Sequence, residues 1–246
     1  MTQSTPDSAA GPTVVLIHGA FADSSSWNGV VERLQDAGVP VQAVSNPLRG
    51  ISHDSSYAAS AIRQIPGPVL AVGHSYGGAV ITNASPQADN VVGLVFVAAF
   101  APDEGETLEG IEDGSTDSVL NTALIPTQYP VGQDSETAVE LTVDPAKFHD
   151  AFASDVSVKE AAVMAATQRP VAAAAFGEPT GTPGWKTLPS WAVVPTGDKA
   201  AGSDVLRSMA QRAQATITET EGSHVIMVSQ PQIVTDVILQ ALEGVR

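Results

Sequence analysis

The sequence predicts an α/β fold: a mostly parallel sheet of about six strands, helices on both of its faces, and a small helical insertion between its two halves. Three observations predict it. Short β-branched apolar runs recur without a polar face, as strands buried on both sides do. Amphipathic helical stretches separate them. The alternation then stops over residues 101–188 and resumes afterwards.

Thr13 to Ile17 is the first such run, closed by His18-Gly19. Asp23 to Ser26 offers capping residues for a helix whose apolar positions Trp27, Val30, Val31 and Leu34 recur at helical spacing until Gly38 stops it. Val39 to Val44 is the second strand. Asp54 to Ile65 is a helix, begun by Asp54 or Ser55 and closed by Pro66-Gly67-Pro68. Val69 to Val72 is the third strand, Gly77 to Ala84 a helix, and Val91 to Phe100 the most apolar strand of the chain. Residues 101–188 carry no strong strand signal, only an acidic, Gly-rich stretch and helical patterns at Pro145 to Ala153 and Ser157 to Ala174. So long a segment is not a structureless loop inside a compact domain. It reads as a mostly helical cap, inserted into a core made of residues 1–100 and 189–246. The core then continues with a strand at Trp191 to Val194, a helix at Asp204 to Gln211, a strand at Ala215 to Thr220 and a helix at Pro231 to Leu242.

A chain of 246 residues fits one domain carrying an insertion, at roughly 100–200 residues per domain. It has no cysteine, which removes thiol nucleophiles, disulfides and thiolate metal sites together, so any nucleophile is an oxygen or a nitrogen. With 27 Asp and Glu against 11 Lys and Arg, the net charge of −16 repels phosphate backbones and anionic membrane surfaces; neither nucleic acid nor membrane is an expected partner. The polar stretch Met1 to Gly11 lacks the basic start and apolar run of a secretory leader, so a cytoplasmic location is expected. Asp103, Glu104, Glu106, Glu109, Glu112, Asp113 and Asp117 cluster where the cap begins and read as a solvated face.

Gly73-His74-Ser75-Tyr76-Gly77 matches G-x-S-x-G and sits between a buried strand and a helix, where that pattern has mechanical meaning. The flanking glycines let the backbone turn sharply and push the Ser75 hydroxyl above the carboxyl edge of the sheet, where open α/β sheets bind ligands. The plainer alternative is a serine that merely caps a Gly-rich helix start. A serine hydroxyl needs a base, and a histidine held by a carboxylate is the usual one. Of the five histidines, His74 adjoins Ser75 and points to the opposite face, His149 lies in the cap, His53 opens a helix, and His18 ends the first strand, where it could line a pocket. His224 follows the last strand in a short loop at the same edge as Ser75 and is the expected base. Asp198 follows the preceding strand in the same way and is the expected acid, with Asp103, after the fourth strand, as runner-up. Backbone amides serve a developing oxyanion without reorganisation. Tyr76, after the nucleophile, and Ala20, in the turn after the first strand, are the expected donors. Phe21, Phe100, Phe148 and Trp185, with His18, are candidate pocket residues. The cap's Ala, Val, Phe148, Phe152, Met164, Phe176 and Trp185 suit a small, fairly apolar substrate, although apolar residues at helical spacing are core packing first.

In chain order Ser75, Asp198, His224, these residues resemble the α/β-hydrolase superfamily over nearly the whole chain. The matching pieces are Val14 to Ala20, Gly73 to Gly78, Thr196-Gly197-Asp198, Gly222-Ser223-His224 and Val228-Ser229-Gln230-Pro231. The chain is most similar to the compact branch that holds plant methylesterases, hydroxynitrile lyases and small bacterial esterases. That resemblance implies a six-stranded sheet, a helical cap and carboxylic-ester hydrolysis through a Ser-His-Asp triad, with no metal or cofactor and with a small-molecule ester as partner, the enzyme being a monomer or homodimer. The lyases of the branch carry a lysine after the histidine and a threonine in the oxyanion turn, where this chain has Val225 and Gly19, which disfavours cyanohydrin cleavage. Acyl transfer, lyase or cyclase chemistry on the same triad is the alternative, and a silent binding module is disfavoured because all three triad residues are present.

Overall fold

The computed structural model describes residues 11–132 and 136–245; the N-terminal stretch read above for a leader lies outside them apart from Gly11. Strand β1 (Thr13–Ile17) leads through a short 3-10 turn to α1 (Asn28–Asp36), β2 (Val41–Val44), α2 (Ile51–Arg63), β3 (Val69–His74), α3 (Tyr76–Ala84) and β4 (Val91–Val97). The insertion carries α4 (Leu108–Asp113), β5 (Leu124–Pro130), β6 (Thr137–Val143), α5 (Phe148–Phe152), α6 (Val158–Thr167), β7 (Val171–Ala172) and α7 (Ala174–Gly177). The core closes with β8 (Ser190–Pro195), α8 (Ser203–Arg212), β9 (Thr216–Thr220), α9 (Ile226–Ser229) and α10 (Pro231–Gly244).

The main sheet has six strands in the order β2-β1-β3-β4-β8-β9, and every neighbouring pair is parallel. Successive strand residues point to opposite faces, yet all six residues of β3 and all six of β8 are buried. Helices therefore cover both faces, as the unbroken apolar runs require. The helices pair as α1 with α10 and α2 with α3. The fourth strand stops at Val97, three residues before its apolar run does. Ala98 adopts φ 46 and turns the chain so that the Phe100 amide donates to the Ser75 carbonyl at 3.2 Å. An apolar sequence here serves the site rather than the sheet.

The insertion differs from the mostly helical cap expected. Strands β5, β6 and β7 form a second, antiparallel sheet, with Leu124 opposite Val143 and Leu141 opposite Val171. Its signal is weak for a physical reason. Pro126 and Pro130 interrupt β5, and Ile125 and Val139 are 39% and 43% exposed, so no clean alternation of buried and solvated residues marks the hairpin. The small sheet is tied to the core: Arg49 pairs with Glu140 of β6 at 2.8 Å and lies 4.4 Å over the Tyr129 ring of β5, and the Ala172 amide of β7 donates to the Leu48 carbonyl at 2.9 Å. The two helical patterns of the insertion are present but shorter than expected, at α5 and α6.

Among the described residues no helix is long and apolar enough to cross a membrane.

Candidate active site

The turn between β3 and α3 sets Ser75 at φ 52 and ψ −125, a region that L-residues with side chains rarely occupy. Such strain persists only where surroundings over-determine it, and here glycines let backbone crowd in from both sides. A Cβ on Gly73 would lie 2.4 Å from the Gly77 carbonyl oxygen, and one on Gly77 would lie 2.4 Å from the Ile17 carbonyl oxygen. Neither obstacle is a flexible side-chain tip. Gly77→Ala is therefore expected to destabilise the protein by about 3 kcal/mol, the upper end of overpacking costs, with urea unfolding as the measurement.

His224 is buried in the loop between β9 and α9, and its Nδ1 lies 2.6 Å from Asp198 Oδ2. The other carboxylate oxygen of Asp198 accepts from the amides of Ala200 at 2.9 Å and Ala201 at 3.0 Å, which fixes the acid's orientation. Asp198 itself is anchored by its amide, which donates to Ser203 Oγ, while that hydroxyl donates to the Pro195 carbonyl. Ser75 and His224 border one cavity together with Ala20, Phe21, Tyr76, Phe100 and Ala201 of the core. Glu112, Leu120, Phe152 and Phe176 of the insertion close it from above. No hydrogen bond joins Ser75 Oγ to His224 in this arrangement; such contacts commonly tighten only once substrate is bound.

The amides of Ala20 and Tyr76 donate to no protein acceptor among the described residues, although both residues are buried. Tyr76 opens α3, whose first amides have no partner within the helix. Two free N–H groups thus stand at the wall that presents Ser75. A Cβ at Gly19 would come 2.7 Å from Ser75 Cβ, so the turn carrying Ala20 packs directly against the serine. The free volume of the cavity is about 10 Å3, room for roughly one water. A cavity of this size admits a substrate only when side chains that line it move. Phe21, at φ 60, is a wall shared with a larger cavity of about 230 Å3 that it forms with Val163, Met164 and Thr167 of α6 and other residues.

Several expected residues lie elsewhere. His18 is buried beside the site without bordering the cavity: its Nε2 accepts from the Asn46 amide at 2.9 Å and its Nδ1 lies 2.9 Å from the Gly19 carbonyl, so it braces the turn as a neutral ring, with burial lowering its proton affinity. Phe148 packs behind Phe152, ring centroids 5.0 Å apart. Trp185 donates its Nε1 to the Pro102 carbonyl and lines a separate surface cavity with Arg212. Asp103 forms a partly exposed pair with Lys186 at 2.6 Å, away from His224. His74 lies beneath the site, where its Nε2 donates to the His224 carbonyl at 2.9 Å; burial first, then the neighbouring His224, holds its proton affinity well below the ordinary histidine value.

Three acids carry roles that the sequence reading missed. Asp155 of the insertion accepts from the Ser223 amide at 2.8 Å, the Ser223 hydroxyl and the Ser229 hydroxyl, pinning both ends of the loop that holds His224. Asp54 accepts from the Tyr76 hydroxyl at 2.8 Å and the Arg49 amide; burial first, and then this carboxylate, drives the phenol's pKa upward. Glu112, read as part of a solvated face, is only 5% exposed.

A model of the Alpha/beta hydrolase family matches residues 14–237. This chain belongs to the alpha/beta hydrolase family. The sheet order and the position of Ser75 between β3 and α3 agree with that membership. No curated protein matches this alpha/beta hydrolase at a significant level. Among solved structures it is similar to polyneuridine aldehyde esterase at 20% identity, with 94% of this chain and 99% of that one covered and a TM-score of 0.77. A pyrethroid hydrolase from Sphingobium faniae matches at 20% identity, 95% and 98% coverage and a TM-score of 0.73. Tomato methylketone synthase I matches at 19% identity, 97% and 100% coverage and a TM-score of 0.75. Likeness at this identity speaks for the fold, which hosts many chemistries.

Proposed function

We propose that this protein is a serine esterase that cleaves a small, neutral, fairly apolar carboxylic ester through an acyl-enzyme. The observation that carries the reading is the convergence of a strained, cavity-facing Ser75, two unengaged amides and a histidine fixed by a buried carboxylate at one sheet edge. In this reading Ser75 Oγ attacks the ester carbonyl carbon while His224 Nε2 takes its proton. The developing oxyanion is held by the Ala20 and Tyr76 amides, and Asp198 stabilises the imidazolium. Collapse of the tetrahedral intermediate expels the alcohol with the proton returned by His224. Water, deprotonated by the same ring, then clears the acyl group from Ser75. The apolar walls, Phe21, Phe100, Phe152 and Phe176, favour a hydrocarbon acyl or alcohol part. Esterase and hydrolase neighbours support this reaction class, and the synthase among them makes product analysis part of the test.

A fluorophosphonate probe is expected to label the protein on the peptide that contains Ser75, located by mass spectrometry, and short p-nitrophenyl esters are expected to give acid and alcohol in equal amounts. Labelling elsewhere, or loss of ester without release of acid, would reject hydrolysis at this serine.

A further inference from the structure

Among the described residues, Glu112 is the one acidic side chain of the insertion that reaches the cavity of Ser75 and His224. It sits in the short helix α4, is 5% exposed, and its Oε1 is buried without a hydrogen-bond partner. The nearest cavity walls from the insertion, Leu120, Phe152 and Phe176, are apolar. The charged groups that act on it are Asp113 and Glu109 of its own helix and Asp198 from the loop after β8, all anionic. A carboxylate there would be a buried charge without a cation, which is costly. Burial first, and then those acids, pushes the carboxyl up to about 8, so it is protonated at neutral pH. A neutral carboxyl carries an O–H donor, the one feature the cavity's aromatic walls lack.

We propose that Glu112 is a specificity-determining residue whose carboxyl group donates a hydrogen bond to an uncharged acceptor oxygen of the substrate, a second carbonyl or ether oxygen separate from the reacting ester. This rests on the esterase reading above. The same cluster of acids repels a substrate carboxylate, so the preferred ester is neutral, and the second oxygen distinguishes it from a plain alkanoate.

The test compares p-nitrophenyl oxoalkanoates, with the ketone at successive positions, against alkanoates of equal length in wild type, Glu112→Gln and Glu112→Leu. The ratio of kcat/KM values is read, so the ionisation of His224 and any general loss of activity cancel. In wild type the best-placed ketone is expected to raise kcat/KM about 10-fold, the worth of one neutral hydrogen bond. Glu112→Gln, which keeps a donor, retains that preference, and Glu112→Leu loses it. The preference of wild type is present below about pH 8 and disappears as the carboxyl ionises above it, whereas that of Glu112→Gln is independent of pH. Equal ratios in wild type and Glu112→Leu at every ketone position would overturn the proposal. If wild type hydrolyses none of the esters, the esterase reading fails by itself, and calorimetric binding of the matching diketones decides the role of Glu112. About 10-fold weaker binding in Glu112→Leu alone supports it, and equal Kd values in all three proteins overturn it.

Discussion

Ser75→Ala is expected to lower kcat/KM on short p-nitrophenyl esters by about 10^4-fold or more while leaving the fold intact. The Ser75 hydroxyl makes no hydrogen bond to His224, and the turn is shaped by backbone and by Gly73 and Gly77, so deletion of Oγ removes the proposed nucleophile and little else. Its effect on stability should stay within about 0.5 kcal/mol, as for changes that break no buried contact. His224→Ala should cost about as much activity, and the double variant no more than either alone, because in the proposed mechanism nucleophile and base act as one unit. Residual turnover would come from the amides of Ala20 and Tyr76, which neither substitution touches. Undiminished hydrolysis by Ser75→Ala, measured with the same esters, would end the assignment of this serine as nucleophile.

The parts of the fold and site that were legible in the sequence are those written in local pattern. A β-branched run, a Gly-x-Ser-x-Gly turn and a periodic helix are adjacent in the chain, and β3, Ser75 and α3 follow from them directly. Asp198 and His224 stand out as candidates in the sequence because each follows a strand at the carboxyl edge, and a parallel sheet brings every such loop to one end. What escaped notice depends on distant partners. Asp155 meets Ser223 across 68 positions and Asp54 meets Tyr76 across 22, with nothing in the residues nearby to mark either contact. Glu112 looked like its neighbours because an acidic run says nothing about which member turns inward; in a helix as short as α4, one step of helical phase decides it. Phase also explains the aromatics. Phe148 and Phe152 stand one turn apart in α5, yet only Phe152 reaches His224, ring centroids 4.8 Å apart, while Phe148 backs it from behind.

The second large effect is expected for Asp198→Asn, about 10^4-fold in kcat/KM with the protein still folded. The geometry specifies why an isosteric change is so damaging. Asp198 Oδ1 accepts two amides, those of Ala200 and Ala201, and Oδ2 accepts the Nδ1 proton of His224. An asparagine can satisfy only one of these sides with its oxygen. Turning the oxygen toward His224 would set its NH2 group against two buried amide donors, at a cost of about 1–3 kcal/mol for each donor left unpaired. The favoured orientation keeps the oxygen on Ala200 and Ala201 and presents the NH2 group to His224 Nδ1. The imidazole then accepts at Nδ1 and carries its proton on Nε2. With a proton already on Nε2, that nitrogen cannot take one from the Ser75 hydroxyl, and the anion that would stabilise the imidazolium is gone as well. Asp103→Asn separates this from a general effect of lost acidity. Its carboxylate pairs with Lys186 in a partly exposed site, so that variant should stay within about twofold of wild type, as surface ion pairs contribute little. Kinetics of the two variants on the same short ester, with the rate of fluorophosphonate labelling as a second measure of Ser75 reactivity, decide between the two acids. A large loss in Asp103→Asn with little change in Asp198→Asn would reverse the assignment.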